Sequence, residues 1–280
     1  FGFNPDPAVL RRRIRERLPQ ERYYILVKDG RPMAQAHIQS WTPHYAIIGG
    51  AACDLLFDEA GLDFRATKDI DMVLCVEVVD AAFGTAFKAF LDAGGYQARE
   101  RSTGEKEFYR FHKPSDQSFP FMIELFSRKP GTLDLPENAE LTPIPVEEDV
   151  VSLSAILLDD GYYEALQSAK RKIEGVTVID ETLLIPFKAR AFLDLSARAE
   201  AGEKIDSKNI KKHRNDVLRL TQLLPGDASI TLPDQIREDM RRFLDLAEAD
   251  ETLDPKALNV PFTRGEAIAL LRSAYKLADA

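Results

Sequence analysis

Residues 45–74 read YAIIGGAACDLLFDEAGLDFRATKDIDMVL, and the pattern of this stretch decides the fold around it. Tyr45–Ile48 is a short apolar run that predicts a buried strand. Gly49 and Gly50 come next, and because neither has a Cβ, the backbone can turn sharply and approach another group closely. The apolar residues 51–57 predict a helix packed on that strand. Unpaired N–H groups in its first turn would form a seat for a phosphate.

A second predicted strand, residues 69–76, begins with the tripeptide Asp-Ile-Asp. Residues two apart on a strand face the same way, so Asp69 and Asp71 present two carboxylates side by side while Ile70 points into the core. Such a pair repels itself unless a cation lies between the two groups. Mg²⁺ suits the pair, because it takes hard oxygen ligands and shares them with substrate phosphates. The two segments together indicate transfer of a nucleotidyl group.

A third acid is expected on a neighbouring strand, and residues 119–126 (FPFMIELF) supply one. This apolar run is interrupted only by Glu124, and a charged residue is rarely buried in such a run without a partner. Glu124 could face solvent at a strand edge or pair with Arg128. Its place in chain order, after Gly-Gly and Asp-Ile-Asp, favours a position in the site.

The order Gly-Gly, Asp-x-Asp and a later acid resembles the DNA polymerase beta-type nucleotidyltransferase superfamily. The fuller string, GGA at 49–51 followed by RATKDID at 65–71, resembles the abortive-infection nucleotidyltransferases of the AbiEii/AbiGii type, which are toxins of type IV toxin–antitoxin systems. Many superfamily members have Gly-Ser where this chain has Gly49-Gly50, so backbone N–H groups would here replace a serine hydroxyl at the phosphate. The resemblance covers residues 45–224.

The resemblance implies an α/β (α+β) fold, with a small mixed sheet, flanking helices and a helical C-terminal domain. It implies that Arg65 and Thr67 bind the nucleotide beside the two glycines. Matched by motif, a family lysine falls on Lys188 and a family aspartate on Asp216. The lysine would face the phosphates and the aspartate would complete the cleft. Taken alone, the same patterns are typical of a surface lysine and of an i,i+4 ion pair between Lys212 and Asp216.

Three regions are predicted along the 280 residues. Residues 1–44 form a helix and strand extension, residues 45–145 the nucleotidyltransferase core, and residues 146–280 a mostly helical domain. The proline-bearing connection 130–145 marks the boundary. Strands are expected over 96–101, 107–112 and 176–179, and helices over 79–93, 152–174, 185–198, 208–224, 232–249 and 265–278.

Composition limits the functions that remain. The net charge of −9 argues against a large non-specific nucleic-acid surface but leaves room for a local basic groove. Cys53 and Cys75 give neither a disulfide framework nor metal-ligand spacing, which favours a reducing, cytoplasmic setting. The sequence has no apolar run of membrane-spanning length and no signal-peptide layout, so no membrane partner is expected.

The sequence therefore predicts a nucleotidyltransferase that moves NMP from an NTP to an acceptor hydroxyl, acting as a toxin on RNA such as tRNA. Two Mg²⁺ ions are expected on Asp69, Asp71 and Glu124, and Glu124 could instead take the proton of the acceptor. Lys188 and Asp216 are expected to join these three as catalytic residues. A cognate antitoxin is a further expected partner.

Two other functions stay open at this point. The chain could be a small-molecule (antibiotic-type) nucleotidyltransferase, whose acceptor pocket would be acidic. It could also be a degenerate relative that binds a nucleotide or another protein, although retention of all three acids argues against this. An RNA acceptor would require basic side chains along one wall of the cleft, for which the candidates are Lys208, Lys211, Lys212 and Arg214.

Overall fold

The computed structural model describes residues 43–65, 67, 69–75, 77–100, 106–116, 119–128, 141–144, 154–173 and 175–277. The predicted N-terminal extension therefore lies outside the described residues, apart from its last two positions. The proline-bearing connection is described only at residues 141–144. Within the described part of the chain, none of the helices has the length and apolar character needed to cross a membrane.

Nine strands and seven α-helices are formed by the described residues. The strands are β1 (Tyr45–Ile48), β2 (Asp69–Leu74), β3 (Gln97–Glu100), β4 (Lys106–His112), β5 (Met122–Ser127), β6 (Leu141–Pro143), β7 (Ser154–Leu157), β8 (Lys170–Ile173) and β9 (Val176–Ile179). The helices are α1 (Gly49–Glu59), α2 (Ala81–Gly94), α3 (Asp160–Ser168), α4 (Glu181–Glu200), α5 (Ser207–Leu220), α6 (Asp234–Ala249) and α7 (Arg264–Ala274). Short 3₁₀ helices cover Thr221–Leu223 and Lys256–Leu258.

All nine strands belong to one mixed sheet, which confirms the predicted α/β class. The main order is β3-β4-β5-β2-β1-β9-β8, and β7 joins at β5 with β6 beside it. Strand β1 pairs antiparallel with β2 and parallel with β9, while β2 pairs parallel with β5. Both YAII in β1 and VTVI in β9 are buried along their whole length, as expected for strands in the middle of a sheet.

The helices beyond β9 pack together on the helix that follows β1. Helix α4 contacts α1, α5 and α6, and α6 in turn contacts α7. The predicted helical C-terminal region is therefore present, although strands β7, β8 and β9 from beyond residue 145 lie in the same sheet as β1. The division of the chain at residue 145 stays a prediction.

Capping residues fix where several of the helices begin and end. Asp80 caps α2 by accepting the Phe83 N–H, and Gly95 ends the helix in the left-handed conformation. Asp206 caps α5 by accepting the Lys208 N–H. Thr263 and Glu266 form a capping box at the start of α7.

The helix predicted over residues 152–174 is wrong, because this stretch forms β7, α3 and β8. The SAIL segment of β7 pairs with β5, with Ile156 opposite Phe126. Asp159 caps the short helix by accepting the Gly161 and Tyr162 N–H groups, so Gly161 lies in its first turn. The KRKI segment of β8 then pairs with β9. A short apolar run does not distinguish a strand from a helix without knowledge of its partner strand.

Helix α4 begins four residues earlier than residue 185, because Asp180 caps it by accepting the Thr182 and Leu183 N–H groups. Pro186 therefore lies in the second turn, where it has no N–H to donate to the Thr182 carbonyl. The Tyr275 hydroxyl, at the end of α7, donates to that carbonyl at 2.8 Å instead. This contact ties the last helix to the start of α4.

We expect Tyr275→Phe to lower the free energy of unfolding by about 1–3 kcal/mol, because the Thr182 carbonyl would lose its donor inside the protein. Urea unfolding gives this value. In a Pro186→Ala background the helix can supply its own N–H, so the same Tyr275 substitution should cost less. An equal cost in both backgrounds would contradict the assigned hydrogen bond.

Candidate active site

The predicted carboxylate pair, Asp69 and Asp71, lies on β2 in the centre of the sheet. Both residues are half-buried, whereas Ile70 and Met72 between and after them are 2% exposed. The strand thus alternates as expected, with the acids on one face and the apolar side chains on the other. Asp71 pairs directly with Ile48, the last residue of β1, so the carboxylate pair adjoins the start of α1.

The glycine turn, Gly49 and Gly50, packs directly on residues of the site. Gly49 has φ +69°, and a Cβ at this position would overlap the Asp71 carboxylate. A Cβ on Gly50 would lie 2.7 Å from Thr67 Oγ1. Gly49 is therefore required by both its backbone conformation and the Asp71 carboxylate, whereas a side chain at Gly50 would have to displace the Thr67 hydroxyl. Among the described residues, no side chain caps the start of α1, so its first N–H groups remain without that kind of partner.

Glu124 lies beside the carboxylate pair, on the neighbouring parallel strand. It is in register with Asp71 across β2 and β5. Arg110 of β4 lies opposite Glu124 on the other side, and its Nε donates to Glu124 Oε1. The alternative pairing with Arg128 is wrong, because Arg128 forms an ion pair with Glu77.

Burial and like charge make the carboxylate pair hard to ionise without a cation. Burial first, and then the Glu124 charge, raise the pKa of Asp71 to about 6, although Lys188 and Lys212 oppose this rise. Burial also raises the pKa of Asp69. Two acids in this state gain the most from a cation that neutralises both.

A second charge centre is built around Asp216, which is fully buried. Its carboxylate accepts from Arg65 at 2.6 and 2.9 Å, and lies 3.1 Å from Lys188 Nζ and 3.3 Å from Arg219 Nη1. We call these four residues the Asp216 cluster. Burial alone would raise the pKa of Asp216, but the hydrogen bonds from Arg65 and the charge of Lys188 outweigh it and hold the pKa below its ordinary value.

The Asp216 cluster differs from a solvated ion pair in every respect. Asp216 has no exposed surface, and only 4% of the Lys188 side chain is exposed. Asp216 is paired with Lys188 and Arg65 and not with Lys212. The surface interpretation of Lys188 and Asp216 is therefore wrong, and both side chains lie deep at the junction of α4 and α5.

The structure brings all nine sequence-predicted site residues into one connected region. Gly49 contacts Asp71 and Gly50 contacts Thr67, and an Arg65 nitrogen lies 3.6 Å from the point that a Cβ on Gly50 would occupy. Arg65 in turn belongs to the Asp216 cluster, and the charge of Lys188 reaches Asp71. The remaining members are those already placed on the sheet: Asp69 and Glu124.

Sequence reasoning missed two basic residues of this region, Arg219 and Arg110. Arg219 follows Asp216 by three positions, a spacing that a helix brings together and that could have identified it. Arg110 is found only from the register of β4 against β5, which no local pattern records. The structure also corrects one predicted residue. Arg214 was expected on a wall that contacts RNA, but it is buried and forms an ion pair with Asp250.

His213 adds a polar but uncharged group next to the Asp216 cluster. Burial, and then the charge of Lys188, lower the pKa of His213 to about 3, so it is neutral at physiological pH. Its Nδ1 is buried without a hydrogen-bond partner in the part of the chain that the structure describes. The positive charge of the region therefore comes from lysine and arginine.

The donor set fits Mg²⁺ when phosphate oxygens complete it. In the described ranges, no group of three or more His, Cys, Asp or Glu side chains is arranged to hold a metal ion. The carboxylate pair nevertheless provides the hard oxygen donors that Mg²⁺ takes from proteins, which commonly supply only one or two carboxylates and leave the other positions to phosphates and water. Asp69 and Asp71 are therefore the residues suited to such an ion.

We expect Gly49→Ala to lower the free energy of unfolding by about 1–3 kcal/mol, because the new methyl group meets the Asp71 carboxylate in a left-handed backbone. Urea unfolding measures the loss. Gly265→Ala is the matched control: nothing lies within 4 Å of a Cβ there, and it should be neutral or slightly stabilising. Similar losses in both variants would contradict the tight contact at Gly49.

The raised pKa of Asp71 also predicts a pH dependence in metal-free buffer. Between its ordinary pKa of 3.8 and about 6, the folded protein binds more protons at Asp71 than the unfolded chain does. This contribution to the free energy of unfolding is therefore present below the ordinary value and falls as pH rises through that window. Asp71→Asn should remove this fall. Between about pH 4 and 6, the free energy of unfolding of the variant should therefore rise relative to that of the wild type. Parallel profiles from urea unfolding would refute the shift.

The sequence matches no protein-family model and no curated protein. Among solved structures, it is similar to an antigenic nucleotidyltransferase-like protein from Paracoccidioides brasiliensis, with 17% identity, 82% of this chain and 93% of that chain covered, and a TM-score of 0.39. It is also similar to the Megavirus polyadenylate synthase, with 12% identity, 90% of this chain and 46% of that chain covered, and a TM-score of 0.34. At these identities and TM-scores, the two proteins identify neither the family nor the activity of this chain.

Proposed function

We propose that the protein is a Mg²⁺-dependent nucleotidyltransferase of the DNA polymerase beta-type superfamily. It would transfer NMP from an NTP to an acceptor hydroxyl and release pyrophosphate. One observation carries the proposal: the carboxylate pair lies against the glycine turn, with the basic side chains of the Asp216 cluster beside them. Metal-binding acids, a phosphate seat and fixed positive charge are the parts that phosphoryl chemistry requires.

Asp69 and Asp71 would hold Mg²⁺ together with oxygens of the triphosphate. When bound, the ion would supply positive charge that neutralises the phosphates and favours attack on the α-phosphorus. The chain supports this assignment through the electrostatics of the pair, because two half-buried acids beside Glu124 are costly to ionise without a cation.

The glycine turn would seat the phosphates with the backbone N–H groups that open α1. These donors need no side chain, and a helix N-terminus favours negative charge. The Thr67 hydroxyl lies against Gly50 and would provide a further donor at the same point. This arrangement supplies what the serine of a Gly-Ser turn would otherwise contribute.

Lys188 and Arg65 would add positive charge behind the phosphates. Their positions are fixed by Asp216, so no reorganisation is needed when negative charge develops during transfer. Asp216 acts through these two side chains and is best described as a positioning residue.

Glu124 would either complete a second Mg²⁺ site or take the proton of the acceptor hydroxyl. Nε and Nη2 of Arg110 both contact Oε1 of Glu124, so the carboxylate is held in position for either role. Arg110 also limits the repulsion between Glu124 and Asp71, because it offsets the charge of one of them.

For the acceptor we propose RNA, with tRNA first, and for the cellular role a toxin controlled by an antitoxin. The support is the sequence resemblance together with Lys208 and Lys211, two exposed lysines at the start of α5. Their helix also carries Asp216, so an RNA held along it would approach the candidate site.

Incorporation of α-³²P-labelled NTPs, each of the four in turn, tests the proposal. The protein is incubated with Mg²⁺ and total bacterial RNA, and separately without RNA. We expect the wild type to label RNA and Asp69→Ala/Asp71→Ala to give background signal, because the variant has lost the proposed metal ligands. Circular dichroism confirms that the variant is folded.

The other outcomes are equally informative. Label on the protein itself would retain nucleotidyl transfer and replace RNA with a protein hydroxyl as the acceptor. Label that persists in the double variant would overturn the assignment of the carboxylate pair. The absence of label under every condition, in a folded sample, would contradict NMP transfer to RNA or protein.

A further inference from the structure

Lys212 lies on α5, one helical turn before Asp216, with its side chain half-buried. It has no hydrogen bond and no ion pair with any residue that the structure describes. Burial, and then the charges of Arg65 and Lys188, lower the pKa of Lys212. An ammonium group in this position costs free energy unless something outside the chain compensates it.

The other basic residues of the site are already paired. Arg65, Lys188 and Arg219 all contact the single carboxylate of Asp216. Arg110 contacts Glu124. Of the described basic side chains around the carboxylate pair, Lys212 is thus the one without a direct carboxylate contact.

Lys212 lies four residues before Asp216, so it shares the face of α5 that carries Asp216 to Arg65 and Lys188. It is the strongest charge acting on Asp69, where it lowers the pKa against the effect of burial. It acts on Asp71 in the same sense. The half-buried Lys212 ammonium therefore lies towards the carboxylate pair, whereas Lys208, one turn earlier, and Lys211 are exposed.

A ligand that carries several negative charges would compensate both Lys212 and a cation held by the carboxylate pair. We propose that Lys212 makes the direct side-chain contact with the triphosphate of the bound nucleotide, while Lys188 and Arg65 supply charge from behind it. This inference rests on the proposed function, because it assumes that a polyphosphate binds beside Asp69 and Asp71. It reassigns Lys212 from an RNA-binding wall to the nucleotide site.

Binding of inorganic triphosphate with Mg²⁺, measured by isothermal titration calorimetry, tests the inference without requiring turnover or a choice of base. We expect Lys212→Ala to weaken binding about ten- to one-hundredfold, since it removes a hydrogen bond between charged groups. Lys212→Arg keeps the charge and should retain most of the affinity. Lys204→Ala is the control, because it removes an exposed lysine just before the same helix.

Thermal unfolding distinguishes this role from a structural one. Lys212→Met should melt at the same temperature as the wild type or above it, since the buried ammonium has no partner in the described protein. A binding loss accompanied by a lower melting temperature in both Lys212→Met and Lys212→Ala would overturn the inference and make Lys212 a structural residue.

Three further results would decide against Lys212 as the triphosphate contact. These are wild-type affinity in Lys212→Ala, an equal loss in Lys204→Ala, or no triphosphate binding by the wild type. The proposed function is judged separately, by the labelling assay. Triphosphate binding that depends on Lys212 in a protein without transfer would leave the inference standing and remove the proposed function. Nucleotidyl transfer by a protein whose triphosphate affinity does not depend on Lys212 would support the proposed function and overturn the inference.

Discussion

The Asp216 carboxylate is the interaction on which the candidate site depends. It is fully buried and joins three separate parts of the chain: the link after α1 through Arg65, α4 through Lys188, and α5 through its own position and Arg219. Burying an ion is costly, and here three cations offset the cost at one point. If Asp216 lost its charge, three positive side chains would repel one another where sheet and helices meet.

This anchoring also explains how loop residues reach the sheet in a defined position. Arg65 is fixed at Asp216, and two residues later Thr67 lies against Gly50, two residues before Asp69 opens β2. A connection that would otherwise be adaptable is thus held at two points close to β2. The glycine turn and the carboxylate pair are placed relative to each other by contacts from opposite halves of the chain.

Part of the fold and of the candidate site could be predicted from the sequence, because it depends on residues that are close together in the chain. The alternation in Asp-Ile-Asp and the need for glycine at position 49 are properties of a few neighbouring residues, so reading the chain alone predicted both. The partner of Glu124 depends on the register of β4 against β5, and the strand at 154–157 depends on its pairing with β5. Both are contacts between distant segments, which single-sequence patterns do not encode. The role of Tyr275 at Thr182 is hidden for the same reason.

The parallel pairing of β1 with β9 has a consequence for synthesis of the protein. Ile47 finds its partner only at Val178, and Asp216 comes later still. At roughly 5–20 residues per second, a ribosome needs on the order of 7–26 s to add the residues between Ile47 and Val178. Over that time one edge of an apolar strand lacks its neighbour, a state that invites wrong pairing. Truncation before β9 would therefore leave β1 without its parallel neighbour and the sheet incomplete.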